Sequence, residues 1–218
     1  MYFLLHPISS LNHLVARIIT DQVTFLISII FFIYLSQNYK RNYWVKLDEK
    51  IALFPQISTN EFLKSQSNNF AIFGNAIFHI SFSIIISLIF IFTKHKISDV
   101  IAILFALVFS WGLNRLLKIV FKRERPENMS ESTKRLSYCF PSGHVMASIS
   151  IYFFMSVLLQ SLIPFIPWYL VSLLICYFVI MSRIYLNHHF FTDILSGICG
   201  GIVALNISIW FYFILGIV

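Results

Sequence analysis

The chain has 218 residues, of which 58% are hydrophobic and 11% are charged. Soluble domains average about 25% charged residues, so this composition excludes an ordinary soluble domain. The net charge of +7 does not indicate nucleic acid, because the basic residues lie in segments between apolar runs. Anionic lipid is the expected partner instead.

Residues 1–20 are predicted to form an interfacial helix that leads into the first apolar run. They have neither a basic start nor a small-residue cleavage site, which argues against a cleavable signal peptide. Apolar residues recur there at helical spacing, with His6, His13 and Arg17 off the apolar stripe. The stripe consists of Leu4, Ile8, Leu11, Val15 and Ile18.

Windows without charged residues follow at 22–39, 65–93, 100–114, 145–182 and 194–218. Pro164 and Pro167 divide the fourth window into two predicted helices. The third window reaches the roughly 20 residues that cross a membrane only if Asp99 and Arg115 lie at the interfaces, with side chains directed to water. The sequence thus predicts an all-α integral membrane bundle of six transmembrane helices, in a single domain covering residues 1–218.

The connections between the spans indicate which polar residues share a face of the membrane. The first loop, 40–68, and the third loop, 118–141, are long and basic, whereas the others are short. Odd-numbered loops return to the same side, so these two loops face the same compartment as the fifth, which holds RIYLNHHFFTD. Cys176 and Cys199 are predicted core residues, and no disulfide framework or metal site is indicated.

Arg183 and Asp193 are the only residues with a formal charge between residue 136 and the C-terminus. Charges near a bilayer are costly, so those that are retained usually mark a function. His189 and Asp193 are four residues apart, so they are predicted to share a face on the first turn of the last helix. There the carboxylate could orient the imidazole as a nucleophile or base. Arg183 offers planar donors suited to phosphate. A helix start capped by Asp, with interfacial histidines, is the structural alternative.

The segment FPSGH, residues 140–144, opens the fourth span. A Pro-Ser-Gly turn that runs into a helix presents backbone N–H groups and the Ser142 hydroxyl at a positive helix end. Gly143 would let an anion approach this turn closely, and His144 would lie at its rim. An ordinary N-cap formed by Ser142 is the structural alternative.

The segment KIVFKRERP, residues 118–126, provides further cations. Lys118 and Arg125 lie on either side of a turn, so they can converge on one tetrahedral anion. Contact with lipid head groups is the alternative, and it is the preferred interpretation for the other basic residues of this loop. Those residues are Lys122, Arg123, Lys134 and Arg135. Together the three segments predict a phosphate-binding site with a nucleophile and an acid on one membrane face.

In their order and spacing, these segments resemble the type 2 phosphatidic acid phosphatase (PAP2) superfamily. The family signature consists of K-x6-RP, PSGH and SR-x5-H-x3-D. The matching residues are Lys118…Arg125-Pro126, Pro141-Ser142-Gly143-His144 and Ser182-Arg183…His189…Asp193. The resemblance extends more loosely from about Leu47 to about Gly201 and leaves out the first 40 residues. Membrane members of this family are lipid phosphatases with six helices, in agreement with the predicted spans.

The resemblance implies a role for each matched residue. His189 would attack phosphorus and form a phosphohistidine, Asp193 would orient His189, and His144 would protonate the departing lipid oxygen. The phosphate oxygens would be bound by Lys118, Arg125, Ser142, Gly143 and Arg183. Because side chains would supply the positive charge, neither a metal nor a cofactor is implied.

Three other polar residues are interpreted differently. His188 precedes His189, but only His189 has the signature spacing, so His188 is predicted to be an interfacial or substrate-contacting residue. Asn75 and His79 are four residues apart in the second span. They are predicted to pack between helices rather than to take part in chemistry.

The sequence leaves the substrate open between phosphatidic acid, phosphatidylglycerophosphate, undecaprenyl diphosphate and lipid A phosphate. The HHFFTD ending resembles bacterial enzymes that act on lipid A or polyprenyl phosphates more than it resembles enzymes that act on the other two lipids. A lipid phosphotransferase that uses the same phosphohistidine is the closest alternative function. A transporter is disfavoured, because it would place its charges near the membrane midplane rather than at one interface.

The expected location is the bacterial inner membrane, but two arguments disagree about the orientation. The face with the three motifs carries thirteen Lys and Arg residues, and the other face carries three. Because loops rich in Lys and Arg usually stay in the cytoplasm, this count would place the site on the cytoplasmic side. Bacterial relatives generally place this face outside, toward the periplasm. We follow the resemblance, because long loops carry less topological weight and the short second loop contains Lys94 and Lys96.

Overall fold

The computed structural model describes residue 15 and residues 17–57, 60–93, 96–125 and 138–217. These residues form helices and no strands. The helices that we label are α1 (Gln22–Asn38), α2 (Asn42–Ala52), α3 (Phe54–Ile57), α4 (Glu61–Ile72), α5 (Ala76–Phe92), α6 (Ile97–Phe121), α7 (Gly143–Leu162), α8 (Trp168–Tyr185) and α9 (Phe191–Ile217). Residues 17–20 are also helical, but most of the predicted interfacial helix lies outside the described residues.

The prediction of an all-α membrane bundle is confirmed. Among the described residues, four helices, α6 to α9, are each long and apolar enough to cross a membrane. The number rises to six if α1 with α2, and α4 with α5, each form one broken span. Helices suit this environment because they satisfy their own backbone polar groups, for which hydrocarbon offers no partner.

The second predicted span, 65–93, is bent rather than straight. Helices α4 and α5 meet at 60°, and the turn between them contains Gly74 and Asn75. Glycine destabilises a helix interior because it loses more backbone freedom on folding than other residues. The absence of charge from the window predicts its membrane location but does not by itself predict this bend.

The first long loop contains more helix than its sequence predicts. Helix α2 follows α1 at an angle of 94° and contacts α9. Asp48 is its buried residue. Helix α4 begins after Asn60, whose side-chain oxygen accepts the N–H of Leu63 at 3.0 Å. The loop is therefore folded against the end of the bundle.

Helix α6 extends the third apolar window in both directions. Arg115 is exposed, as expected, but Asp99 is buried. The carboxylate of Asp99 accepts a hydrogen bond from the Tyr212 hydroxyl of α9 at 2.8 Å. The expectation that Asp99 points to water is therefore wrong, because a hydrogen bond compensates for its burial.

Helix α7 lies at the centre of the bundle and contacts α5, α6, α8 and α9. Most of its side chains are buried. Gly201 allows α9 to pack closely against it. A Cβ atom at this position would lie 2.8 Å from both the Met146 carbonyl oxygen and the Ile149 Cβ. Because one of these atoms belongs to the backbone, the helices would have to move apart to accept a larger residue.

Gly201→Ala should lower the melting temperature of the detergent-solubilised protein by about 3–10 °C, since overpacking a core costs roughly 1–3 kcal/mol. Gly112→Ala in α6 is a matched control. A Cβ atom there meets no described atom beyond its own helix within 4 Å, and alanine favours helix formation. Its melting temperature should therefore stay the same or rise slightly. Equal melting temperatures for the two variants would contradict the close α7–α9 contact.

Candidate active site

Four helix ends bring the sequence motifs together at one end of the bundle. Lys118 lies in the last turn of α6, Gly143 begins α7, Arg183 lies in the last turn of α8, and Asp193 lies in the first turn of α9. His189 lies in the connection between α8 and α9 and not, as predicted, on the first turn of the last helix, because α9 begins only at Phe191. Pro126, Lys134 and Arg135 lie outside the described residues.

His189 and Asp193 form a buried pair. The Nδ1 atom of His189 lies 3.5 Å from Oδ2 of Asp193, which is long for a hydrogen bond. The same carboxylate oxygen accepts the N–H of Phe190 at 3.0 Å. Burial lowers the pKa of His189 to about 4, and Asp193 opposes this shift. The imidazole is therefore neutral near pH 7, as a nucleophile or base must be.

The cations of the motifs lie near this pair and near His188. The charges of Arg125 and Lys118 both act on His189, and the charge of Arg183 acts on His188. Burial and, to a smaller extent, the charges of Arg183 and Arg125 lower the pKa of His188 to about 4. Arg125 also donates from Nη1 to the backbone oxygen of His188 at 3.2 Å. Positive charge is thus concentrated where an anionic group could bind.

Ser142 occupies the N-cap position of α7, but its side chain makes no capping hydrogen bond. Its backbone N–H donates to the carbonyl oxygen of Asp193 at 2.9 Å, which joins the PSGH turn to α9. Its hydroxyl is buried and has no hydrogen-bond partner within the part of the chain that the structure describes. An unsatisfied buried hydroxyl is costly. This observation favours an anion-binding role for the turn over a simple N-cap.

Gly143 lies in close contact with the neighbouring helix α6. A Cβ atom here would lie 2.8 Å from Oδ1 of Asn114 in α6. The Nδ2 atom of Asn114 donates to the carbonyl oxygen of Pro141 at 3.3 Å. On the other side, a Cβ atom at Gly197 of α9 would lie 2.9 Å from the carbonyl oxygen of Ser142. The two glycines thus let α6 and α9 hold the turn between them.

His144 contacts a residue that the sequence assigned to packing. Its Nε2 atom lies 2.7 Å from Oδ1 of Asn75, which sits at the bend between α4 and α5. Gly74 leaves room for the ring, because a Cβ atom there would lie 2.8 Å from His144 Cδ2. This contact joins α5 to α7, in agreement with the prediction that Asn75 packs between helices, and its partner is a signature residue. His79 agrees with that interpretation, since it is buried and lies 3.3 Å from the Ser148 hydroxyl.

Comparison with known proteins decides the family. The family model described as PAP2 superfamily matches residues 99–216, which is more than half of the chain and includes the three motifs. The chain belongs to the PAP2 superfamily. The enzymes of this family are metal-independent phosphatases.

A sequence relative and a solved structure, both from Bacillus subtilis, are similar to this PAP2 protein. It is 33% identical over 96 residues to phosphatidylglycerophosphatase B of Bacillus subtilis (strain 168), which is 42% of this chain and 47% of that protein. The match thus spans about half the length of that relative. It also resembles the crystal structure of the transmembrane PAP2-type phosphatidylglycerolphosphate phosphatase from Bacillus subtilis. The TM-score is 0.76 at 26% identity, over 86% of this chain and 94% of that one. The chain is thus a multi-pass membrane protein of the PAP2 superfamily.

The PAP2 site contains two charged residues that sequence reasoning missed. Arg123, interpreted above as a head-group contact, is largely buried and pairs with Asp193 at 2.7 Å and with Asp48 at 2.9 Å. Asp48 also accepts the backbone N–H of Thr192 at 2.8 Å. Arg123 lies between two signature positions and could have drawn notice for that reason, but no pattern links Asp48 to a residue 144 positions away. These contacts bring the first, third and fifth loops together at one end of the bundle.

Proposed function

We propose that this PAP2 protein hydrolyses a phosphate ester or diphosphate of a membrane lipid through a phosphohistidine at His189. One observation carries the proposal above all. The buried, neutral His189 lies 3.5 Å from Asp193, at the end of the bundle where the cations of the motifs gather. An imidazole with one nitrogen facing a carboxylate is an oriented nucleophile.

In the first step, the lone pair on Nε2 of His189 attacks phosphorus, and the bond between phosphorus and the lipid oxygen breaks. Nε2 is the attacking atom because Nδ1 faces Asp193. His144 gives its proton to the departing oxygen, and its ring is held by Asn75 at 2.7 Å. Asp193 stabilises the positive charge that the imidazole acquires when it is phosphorylated.

In the second step, water attacks phosphorus and gives a proton to His144, and the bond between phosphorus and His189 breaks. Negative charge on the equatorial oxygens must be stabilised in both steps, and donors fixed in advance do this most effectively. We expect the phosphate to be held without a cofactor. The residues that would bind it are Lys118, Arg125, Ser142, Gly143 and Arg183.

Phosphatidylglycerophosphate is the substrate that we propose first. The names of both relatives refer to this lipid. The HHFFTD ending favours lipid A or polyprenyl phosphates instead, but it covers only six residues. The structural resemblance covers 86% of the chain and so carries more weight.

Release of inorganic phosphate from vesicles tests the substrate and the nucleophile together. The vesicles should contain phosphatidylglycerophosphate, phosphatidic acid, undecaprenyl diphosphate or lipid A phosphate, and the first should react fastest. His189→Ala should lower the rate by at least about 1000-fold, since it removes the attacking atom. His188→Ala should stay within about threefold, because Arg125 contacts the backbone oxygen of His188 rather than its ring.

Reversed effects of the two histidine variants would identify His188 as the nucleophile. A faster rate on one of the other three lipids would overturn the proposed substrate. Consumption of lipid without free phosphate, together with a newly phosphorylated acceptor, would identify a phosphotransferase.

We also propose that the protein lies in the bacterial inner membrane with this site facing the periplasm. The structure offers a way to test the orientation, because Cys139, Cys176 and Cys199 are only 0%, 3% and 7% exposed. Burial also raises the pKa of the Cys139 thiol, which lowers its reactivity. The wild-type chain should therefore give a low background with thiol reagents.

Lys40→Cys and Lys96→Cys would report on opposite ends of the bundle, since both lysines are exposed. Residue 40 lies at the end that holds the site, and residue 96 lies in the loop between α5 and α6. A membrane-impermeant thiol reagent should label Lys40→Cys in cells whose outer membrane has been permeabilised. It should label Lys96→Cys only after the inner membrane has been opened. The opposite pattern would place the site in the cytoplasm.

A further inference from the structure

The guanidinium of Arg123 connects three loops beside the candidate nucleophile. Its Nη1 atom donates to Oδ1 of Asp193 at 2.7 Å and to the hydroxyl of Thr192 at 2.6 Å. Its Nη2 atom donates to Oδ2 of Asp48 at 2.9 Å. Planar, forked donors of this kind fix direction as well as distance.

Asp48 holds the far side of this arrangement. Its carboxylate accepts the backbone N–H and the hydroxyl of Thr192, each at 2.8 Å. The side chains of Asp48 and Asp193 are 3% and 0% exposed, and that of Arg123 is 10% exposed. Helix α2 is therefore tied to the first turn of α9 through hydrogen bonds that water hardly reaches.

Two aromatic rings fix the plane of the guanidinium. The Cζ atom of Arg123 lies 4.4 Å from the ring centroid of Tyr39 and 4.1 Å from that of Phe190. Contacts of this kind attract a cation electrostatically, and the attraction is stronger where water is excluded. The arginine is thus held by its ring neighbours as well as by its hydrogen bonds.

The geometry points to Arg123 and Asp48 as positioning residues that fix the carboxylate of Asp193 against His189. Arg123 binds Oδ1 of Asp193, which leaves Oδ2 directed at His189. This inference rests on the proposed function, because it assigns Arg123 a part in the chemistry of His189.

Loss of Arg123 is expected to affect turnover and substrate binding differently. Lys118, Arg125 and Arg183 remain in place when Arg123 is removed, so the affinity for the lipid phosphate should change little. The orientation of Asp193 should be lost, and with it the stabilisation of the phosphorylated imidazole. A decrease in kcat at nearly constant KM indicates that the removed interaction stabilises the transition state.

The test is a double-mutant cycle on kcat in the full-length protein. Arg123→Met should lower kcat by about 100-fold with KM within about threefold. Lys122→Met is the matched control, because it removes the same charge from the neighbouring, exposed position and should change kcat by less than about threefold. In an Asp193→Asn background, Arg123→Met should lower kcat by less than about fivefold more, since the two residues act through one contact.

Full additivity of the two substitutions would overturn the inference, because it would show that Arg123 acts independently of Asp193. A rise in KM at constant kcat would also overturn it and identify Arg123 as a phosphate ligand. If Arg123→Met does not fold, Asp48→Asn serves in the same cycle, with an expected loss of about 10-fold that largely disappears in the Asp193→Asn background. His189→Ala is assayed in the same experiment. If His189→Ala retains wild-type activity, the proposed function is wrong. If His189→Ala is inactive but Arg123→Met is fully active, only this inference is wrong.

Discussion

A buried carboxylate at the start of α9 determines the arrangement of the functional end of this protein. Asp193 is 0% exposed, and an isolated charge in such a place would be very costly. Its Oδ1 atom accepts from Arg123, its Oδ2 atom accepts from the Phe190 N–H and faces His189, and its carbonyl oxygen accepts from the Ser142 N–H. The hydrogen bonds of this one residue therefore hold the PSGH turn and the third and fifth loops close together.

The bundle below supplies the rigidity that such a cluster needs. Helix α7 begins at the PSGH turn and is surrounded by α5, α6, α8 and α9, so the turn cannot shift without moving the core. Gly143, Gly197 and Gly201 lie where a Cβ atom would meet a neighbouring helix or turn at 2.8–2.9 Å. Burial then strengthens the electrostatic interactions among the charges at the end of the bundle, because little water screens them.

The sequence predicts local features of this structure better than long-range ones. Charge-free windows mark the spans because lipid excludes charge, and the spacing of His189 and Asp193 indicates their pairing because they are four residues apart. Asp48 and Arg123 are 75 positions apart in the sequence and form a hydrogen bond. Their contact depends on how the helices pack, which the local spacing of residues does not predict. The bend at Gly74 and Asn75 is equally hard to predict, because the window is free of charge and either a straight or a broken helix would satisfy that pattern.

The central claim is that His189 carries the phosphate during turnover, and direct trapping of the phosphorylated enzyme tests it. The protein should be mixed with lipid labelled in its phosphate and quenched in alkali, because phosphohistidine is labile in acid. The labelled peptide is then sequenced by mass spectrometry. The account predicts an acid-labile phosphate on His189. A phosphate on His144 or His188, or an acid-stable phosphate on Ser142, would contradict it.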